Sequence, residues 1–433
     1  MKNKITILLC FLFFSCSSSN QLSKKIWNNE EKKIKPKNIE LLNFKNIEKT
    51  LSIEVNKNLN INISNKIDTE KSNNLKNNIG IRDYDGELKI FKKVKYKKIS
   101  NSLLSQSDII FGKNYLIIFD GDGSLIKLDK DYNIIWKKNY YSKLEKKTKP
   151  FLFLKKKDNI LIVADNISKL YAININNGDL IWSKNHSSAF NSEIKIFGEN
   201  FFISDLNNLF MSISIKNGVE NWSFQSEDFF IKTLNKASVV ADNKTVYFLN
   251  TIGDLTALDI KSGFLKWQIS NQNNNIFDKH FLNKNSKLLM DNQLILYSSK
   301  NDFYAFDKRN GFLKWKQKIQ TTIAPTVIDE NLLIISLNGF FVVVDSVTGI
   351  IKRSNFIFTD FNKKELKKIT PIGFVVGIDK IYLTLNNGKM LIIDVKTGKL
   401  INNVKIDNKL VSKPQVYEKK LYIMKNNELV VFK

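Results

Sequence analysis

Two cysteines and two histidines in 433 residues leave little room for much of the usual chemistry of a chain this size. Cys10 lies inside a segment that reads as a cleaved leader and Cys16 sits at its end, so no disulfide and no thiol nucleophile is expected in the mature chain. No C-x-x-C-H haem attachment site occurs. His186 and His280 are far apart, and each reads as a loop residue rather than a general base or metal ligand. Helical periodicity is nearly absent beyond the leader, so stability must come from apolar surface buried in sheets. A composition of 43% hydrophobic and 12% aromatic residues supplies the material for a large core.

Acidic residues are also in short supply: 42 Asp plus Glu stand against 68 Lys plus Arg, a net charge of +26. Such a balance raises nucleic acid as a partner, because lysine and arginine release counterions from phosphate. The lysines are instead scattered along the whole chain among Asn, Ile and Phe, and none of the known nucleic-acid-binding signatures interleaves them with aromatics. They read as a solvated basic surface with no nucleic-acid role, and contact with anionic lipid headgroups is the next alternative.

At the N-terminus, Lys2 and Lys4 precede an apolar run from Ile5 to Phe14 that is too short to span a bilayer. Residues 1–15 read as a signal peptide. The sequence Phe13-Phe14-Ser15-Cys16, followed by Ser17-Ser18-Ser19, is similar to a bacterial lipobox, with Cys16 as the residue acylated by palmitate-type chains. A plain secretory signal that leaves Cys16 a thiol is the alternative. Ser17, where an Asp would retain such a lipoprotein at the inner membrane, implies the outer membrane. Residues 16–81 are rich in Asn, Lys, Ser and Glu and read as a disordered tether, since so few apolar residues cannot offset the entropy of ordering. A flexible coil of that length reaches on the order of 45 Å.

Past the tether the chain repeats itself. Asp254-Leu-Thr-Ala-Leu-Asp259-Ile-Lys-Ser-Gly263-Phe-Leu-Lys-Trp267 matches Asp302-Phe-Tyr-Ala-Phe-Asp307-Lys-Arg-Asn-Gly311-Phe-Leu-Lys-Trp315 position for position. The frame recurs with Trp136, Trp182 and Trp222, and in two degenerate copies with Arg353 and Asn402 at the tryptophan position. Successive markers lie 46, 40, 45, 48, 38 and 49 residues apart, a period typical of propeller blades. Short β-branched and aromatic runs bounded by Asn and Gly make each unit a meander of antiparallel strands. A marker position that recurs in every unit, and is tryptophan in five, reads as a staple between units rather than a ligand platform, which would need only one or two.

Seven full copies are followed by Leu421 to Lys433, which stops where the Gly-to-Trp half should begin. Gly86-Glu-Leu-Lys-Ile-Phe-Lys-Lys93 resembles that missing half and is expected to pair beside Leu429 to Phe432, closing an eighth blade without an open edge. The prediction is an all-β chain: an eight-bladed β-propeller over residues 82–433, with its last blade completed by an N-terminal strand.

Repeats of the form L-x-A-L-D-x-x-[ST]-G-x-x-x-W resemble the PQQ-like propeller repeats. With the lipobox, the tether and eight blades, the chain resembles the BamB-type lipoproteins of outer membrane protein assembly. That resemblance implies a non-enzymatic scaffold at the outer membrane, facing the periplasm and bound to a POTRA domain of BamA within the BAM complex, with unfolded outer membrane proteins as further partners. It implies contacts from the loop after the third blade, where Phe229-Phe230-Ile231-Lys232 stand, and from the loop after the fourth, where Asp278, Asn283 and Asn285 stand. Phe229 and Phe230 can equally open the next blade's inner strand, and Asn283 and Asn285 occupy positions where the family resemblance implies an acidic pair. The rival readings are a PQQ-dependent dehydrogenase and a propeller serving a different envelope complex. Against the dehydrogenase, the adjacent cysteines typical of such enzymes are missing, so no cofactor and no metal site is expected. Asp120-Gly121-Asp122-Gly123, the one stretch that suggests calcium, lacks the downstream Glu of a calcium loop and reads as a hairpin.

Overall fold

The computed structural model describes residues 55–56, 75–100, 104–105, 107–227, 235–270, 285–299 and 301–433. Among these residues the fold is eight antiparallel sheets arranged as the blades of a propeller. Each blade is a four-stranded meander running from the axis outward. The first begins at Ile110–Gly112 and ends at Ile134–Lys138, and the fourth runs from Ser238–Ala241 to Leu265–Ile269. The only described helices are single short segments, Lys143–Lys147 and Lys363–Leu366, each started by a capping box.

Burial explains the strand chemistry. The second and third strands of a blade are covered by neighbouring blades on both faces, so they read as apolar runs rather than alternating ones. Thr245–Leu249 is buried at every position, and Phe340–Asp345 at all but its last. Outer strands face solvent and carry the polar residues, as in Leu180–Asn185.

The repeat motif builds the joint between blades. Each tryptophan lies opposite a small or slender partner on the third strand, with Ala172, Ala257 and Ala305 facing Trp182, Trp267 and Trp315. The ladder breaks register just before the marker in all eight blades, and this bulge turns the ring toward the next blade. There the indole Nε1 of Trp136, Trp182, Trp267 and Trp315 donates to the carbonyls of Ile175, Ile215, Lys308 and Ser346, at 2.9 to 3.2 Å. Each acceptor is the residue after the repeat's Asp or its substitute. The ring lies flat on the next blade's turn glycine: a Cβ on Gly349, which has φ +75°, would sit 2.7 Å from the Trp315 ring. Where Arg353 replaces tryptophan, its guanidinium donates to the Lys396 carbonyl of the following blade, so the degenerate copy keeps the bond. Trp222 Nε1 finds no acceptor among the described residues.

The ring closes as expected, by Ile90–Lys95 pairing with Glu428–Phe432, but the half-repeat sits two residues away from the expected alignment. The bulge lies between Ile90 and Lys92, which puts Lys92 at the tryptophan position and Leu88 at the glycine position. Leu88 adopts φ +61°, the left-handed turn that glycine makes elsewhere. Gly86 serves another purpose: a Cβ there would lie 2.6 Å from the Lys433 backbone, and its carbonyl accepts from Tyr382 Oη at 2.9 Å. The match of Gly86 and Ile90 to Gly311 and Trp315 therefore aligned on the wrong residues, because a leucine takes the left-handed turn.

Two pieces of the segment read as tether belong to the fold. Val55–Asn56 adds a fifth strand outside Ile351–Phe356, and residues 75–81 lie along the inner strands, as described below.

Two substitutions test the joint. Trp315→Ala is expected to destabilise by about 3–5 kcal/mol. Gly349→Ala should cost at least about 1–2 kcal/mol because both φ and the facing indole oppose a side chain. Urea unfolding of each variant measures the loss.

Candidate functional site

Antiparallel meanders of four strands put every connection from one blade's outer strand to the next blade's inner strand on one face. The two predicted docking loops are such connections, from blade three to four and from four to five, and their described ends, Glu227 and Asn235 and Ser270 and Asn285, lie on that face. Phe229, Phe230, Ile231, Lys232, Asp278 and Asn283 lie outside the described residues, as does Cys16. Asn285 is described and is half-buried near the Gly253 turn of blade four. Asp120-Gly121-Asp122-Gly123 forms the hairpin expected of it: Asp120 Oδ1 accepts from the Asp122 and Ser124 amides, and Asp120 pairs with Lys137 at 2.8 Å. His186 is a packing residue, with Nε2 3.0 Å from Asp205 Oδ2 and its ring stacked on Phe190. His280 lies outside the described residues.

The same face carries a feature that the repeat reading missed. Two residues before the inner strands of blades one, three, four, five and eight stand Asp108, Glu193, Lys236, Lys287 and Lys413. Lys155 and Lys195, on the inner strands of blades two and three, join them. Five lysines thus face two carboxylates around the axis. Lys413 pairs with Asp108 at 2.5 Å, and Glu193 holds Lys287 at 2.8 Å and Lys195 at 3.4 Å. Lys155 and Lys236 have no carboxylate partner among the described residues. The Lys236 ammonium instead lies 4.1 Å from the Phe153 ring centroid and 4.8 Å from that of Phe151.

Protonation follows from this crowding. Burial opposes ionisation of Glu193, but the attraction of Lys195 and Lys287 outweighs it and holds the carboxyl far below the usual range. Burial pushes Lys236 down to about 7, helped by repulsion from Lys287, and Lys195 is pushed to about 7 mainly by burial despite Glu193 beside it. Lys287 moves the other way: burial disfavours its charge, yet Glu193 and Asp108 hold it above its ordinary value. The interior is not dry, since Lys287 and Asp108 each keep 41% of their side-chain surface accessible.

Across this site runs residues 75–84, a strap that meets the inner strands in turn. Its Leu75 and Lys76 carbonyls accept from the Ala241 and Met290 amides, both at 2.9 Å. Asn77, at φ +59°, donates to the Val239 and Leu288 carbonyls at 3.1 and 2.8 Å and to Glu193 at 3.0 Å, and accepts from Lys195. Asn78 clasps both backbone groups of Val327, and Ile81 bridges Val376. One asparagine thereby ties blades three, four and five to the charged group.

Propeller sheets joined by tryptophan-on-glycine contacts, with a split last blade, define the class of PQQ-like repeat propellers. The chain belongs to the family of the outer membrane protein assembly factor BamB, whose model matches residues 121–355, more than half of its length. The fold is similar to the crystal structure of BamB from Moraxella catarrhalis, at 15% identity and TM-score 0.63, covering 80% of this chain and 99% of that one. It is also similar to the quinohemoprotein alcohol dehydrogenase of Comamonas testosteroni, at 10% identity and TM-score 0.63, covering 84% and 81%. No curated protein sequence matches the chain significantly. Likenesses at such identities establish the fold. Among the described residues, no group of three or more His, Cys, Asp or Glu is placed to hold a metal ion, and Asp108 and Glu193 near the axis are engaged by lysines.

Asn77→Ala should release the strap, with loss of amide-exchange protection at Ala241 and Met290. Lysines with depressed folded-state pKa values bind fewer protons folded than unfolded, so stability rises as pH climbs from about 7 toward the ordinary lysine value of about 10.4. Lys236→Met should flatten that slope in denaturant titrations between pH 7 and 9.5.

Proposed function

We propose that the chain is a non-enzymatic scaffold of outer membrane protein assembly, anchored through lipidated Cys16 to the outer membrane and facing the periplasm. The observation that carries this reading is membership of the BamB family, together with an axial face whose charged groups are paired or crowded rather than arranged as catalytic partners. The partner is the BamA POTRA region of the BAM complex. It is engaged by the loop containing Phe229, Phe230, Ile231 and Lys232, with the loop containing Asp278, Asn283 and Asn285 beside it. Adjacent placement of the two connections on one face supports a single continuous contact, with phenylalanine as its apolar anchor. Because Asn283 and Asn285 replace an acidic pair, hydrogen bonding rather than charge attraction would serve the second loop. Extended client segments would add as strands to outer blade edges.

A PQQ-dependent dehydrogenase is the second reading, favoured by the likeness to the Comamonas testosteroni enzyme. Against it stand the missing adjacent cysteines and the absence, among the described residues, of a carboxylate group suited to Ca²⁺. A propeller of a different envelope complex is the third.

Crosslinking in the intact envelope separates these readings. The scaffold reading expects capture of a POTRA-containing partner, lowered about tenfold or more by Phe230→Asp with the fold intact. Capture of an unrelated envelope protein would establish the third reading, and alcohol oxidation on adding PQQ and Ca²⁺ the second. Cys16→Ser should abolish acylation, read by mass spectrometry of the membrane-extracted chain.

A further inference from the structure

We propose that the propeller axis binds a small multivalent oxyanion, a phosphate or carboxylate compound, between Lys155, Lys236 and Lys287. The site is built by the repeat. Blades one, three, four, five and eight each present a charged residue at the same register, two positions before the inner strand, and these groups come within electrostatic range of one another. Five lysines and two carboxylates leave three positive charges in surplus when every lysine is protonated, a state that Lys195 and Lys236, both lowered to about 7, reach fully only with an anion beside them. Both carboxylates are already engaged, Asp108 by Lys413 and Glu193 by Lys195 and Lys287. Lys155 and Lys236 are left without a carboxylate partner among the described residues, and Lys236 lies over the Phe151 and Phe153 rings. Half-buried cations without counter-charges cost stability unless something compensates them.

Surface lysines carry their charge in water at little cost, whereas these two do not. Burial is the first cause that lowers the proton affinity of both. Lys236 faces Lys287 and Lys413 as like charges and Asp108 and Glu193 as opposite ones, and the balance still disfavours its ammonium. An anion carrying two or three charges reverses that balance. An anion of two or three charges can match the fully protonated group, which one chloride cannot, so the ligand is multivalent. The strap fixes part of the charged group, because Asn77 holds Glu193 and Lys195 in place.

The test uses the full chain at pH 7.5, titrated separately with sodium pyrophosphate, sodium citrate and, at matched ionic strength, sodium chloride. Wild type should gain about 2 °C or more in melting temperature at saturating pyrophosphate or citrate. A response to one alone assigns the site to phosphate or to carboxylate compounds. Lys236→Met and Lys155→Met should each weaken the apparent affinity about tenfold, Lys236→Arg should retain it, and Lys130→Met on the exposed surface should change nothing. Binding should also take up protons, seen as a calorimetric heat that changes with the buffer's ionisation enthalpy. Equal effects of all three salts, or a pyrophosphate and citrate response unaltered in both Met variants, would overturn the proposal. Should either Met variant unfold, Lys236→Arg and proton uptake still decide it, because a structural role alone links no proton to the anion.

Discussion

An indole laid on the next blade's glycine, with its N–H bonded to a carbonyl of that same turn, is the constraint on which this ring depends. It couples three positions of the repeat at once. The tryptophan needs a residue without a side chain opposite it, the turn needs a left-handed residue, and the turn's Asp, or the Asn or Ser in its place, must orient the acceptor carbonyl. The register break before each marker tilts the outer strand so that the ring can reach across. When tryptophan is lost at Arg353, the bond survives through a guanidinium N–H, so the joint depends on donor position more than on ring chemistry.

The strap adds a second, radial form of cohesion. Blade-to-blade staples hold pairs; residues 75–84 hold a run of blades from three to seven, by giving one backbone and two asparagine side chains to successive inner strands. The strap then leads into the strand that completes the last blade. Axis and rim are thereby joined in one continuous piece of chain.

The ring was legible because its period is written in tryptophan, at six residues far scarcer here than tyrosine or phenylalanine, and in most copies in a glycine four residues before it. Closure was legible too, but its register was not: Leu88 occupies the left-handed turn without the glycine that would have marked it, and Gly86 drew the alignment two residues away. The strap was hidden by composition. Asn77 and Asn78 look like any asparagine of a polar tether, and only the geometry of four inner strands gives them partners. The axial lysines were hidden for a related reason, since 68 basic residues spread through the chain mask the few that recur at one register. Reading the residues two positions before each inner strand would have exposed them.

The outer strands have a colloidal consequence. Among the described residues seven outer strands have no further partner strand, and flat rims of that kind would invite neighbouring toroids to stack edge to edge, yet each is bent by its bulge and several carry exposed cations, such as Lys137 and Lys138, Lys266, and Lys314 and Lys316. Part of the charge that reads in the sequence as a solvated basic surface thus lies along the rims, where like charges oppose edge-to-edge stacking of neighbouring toroids.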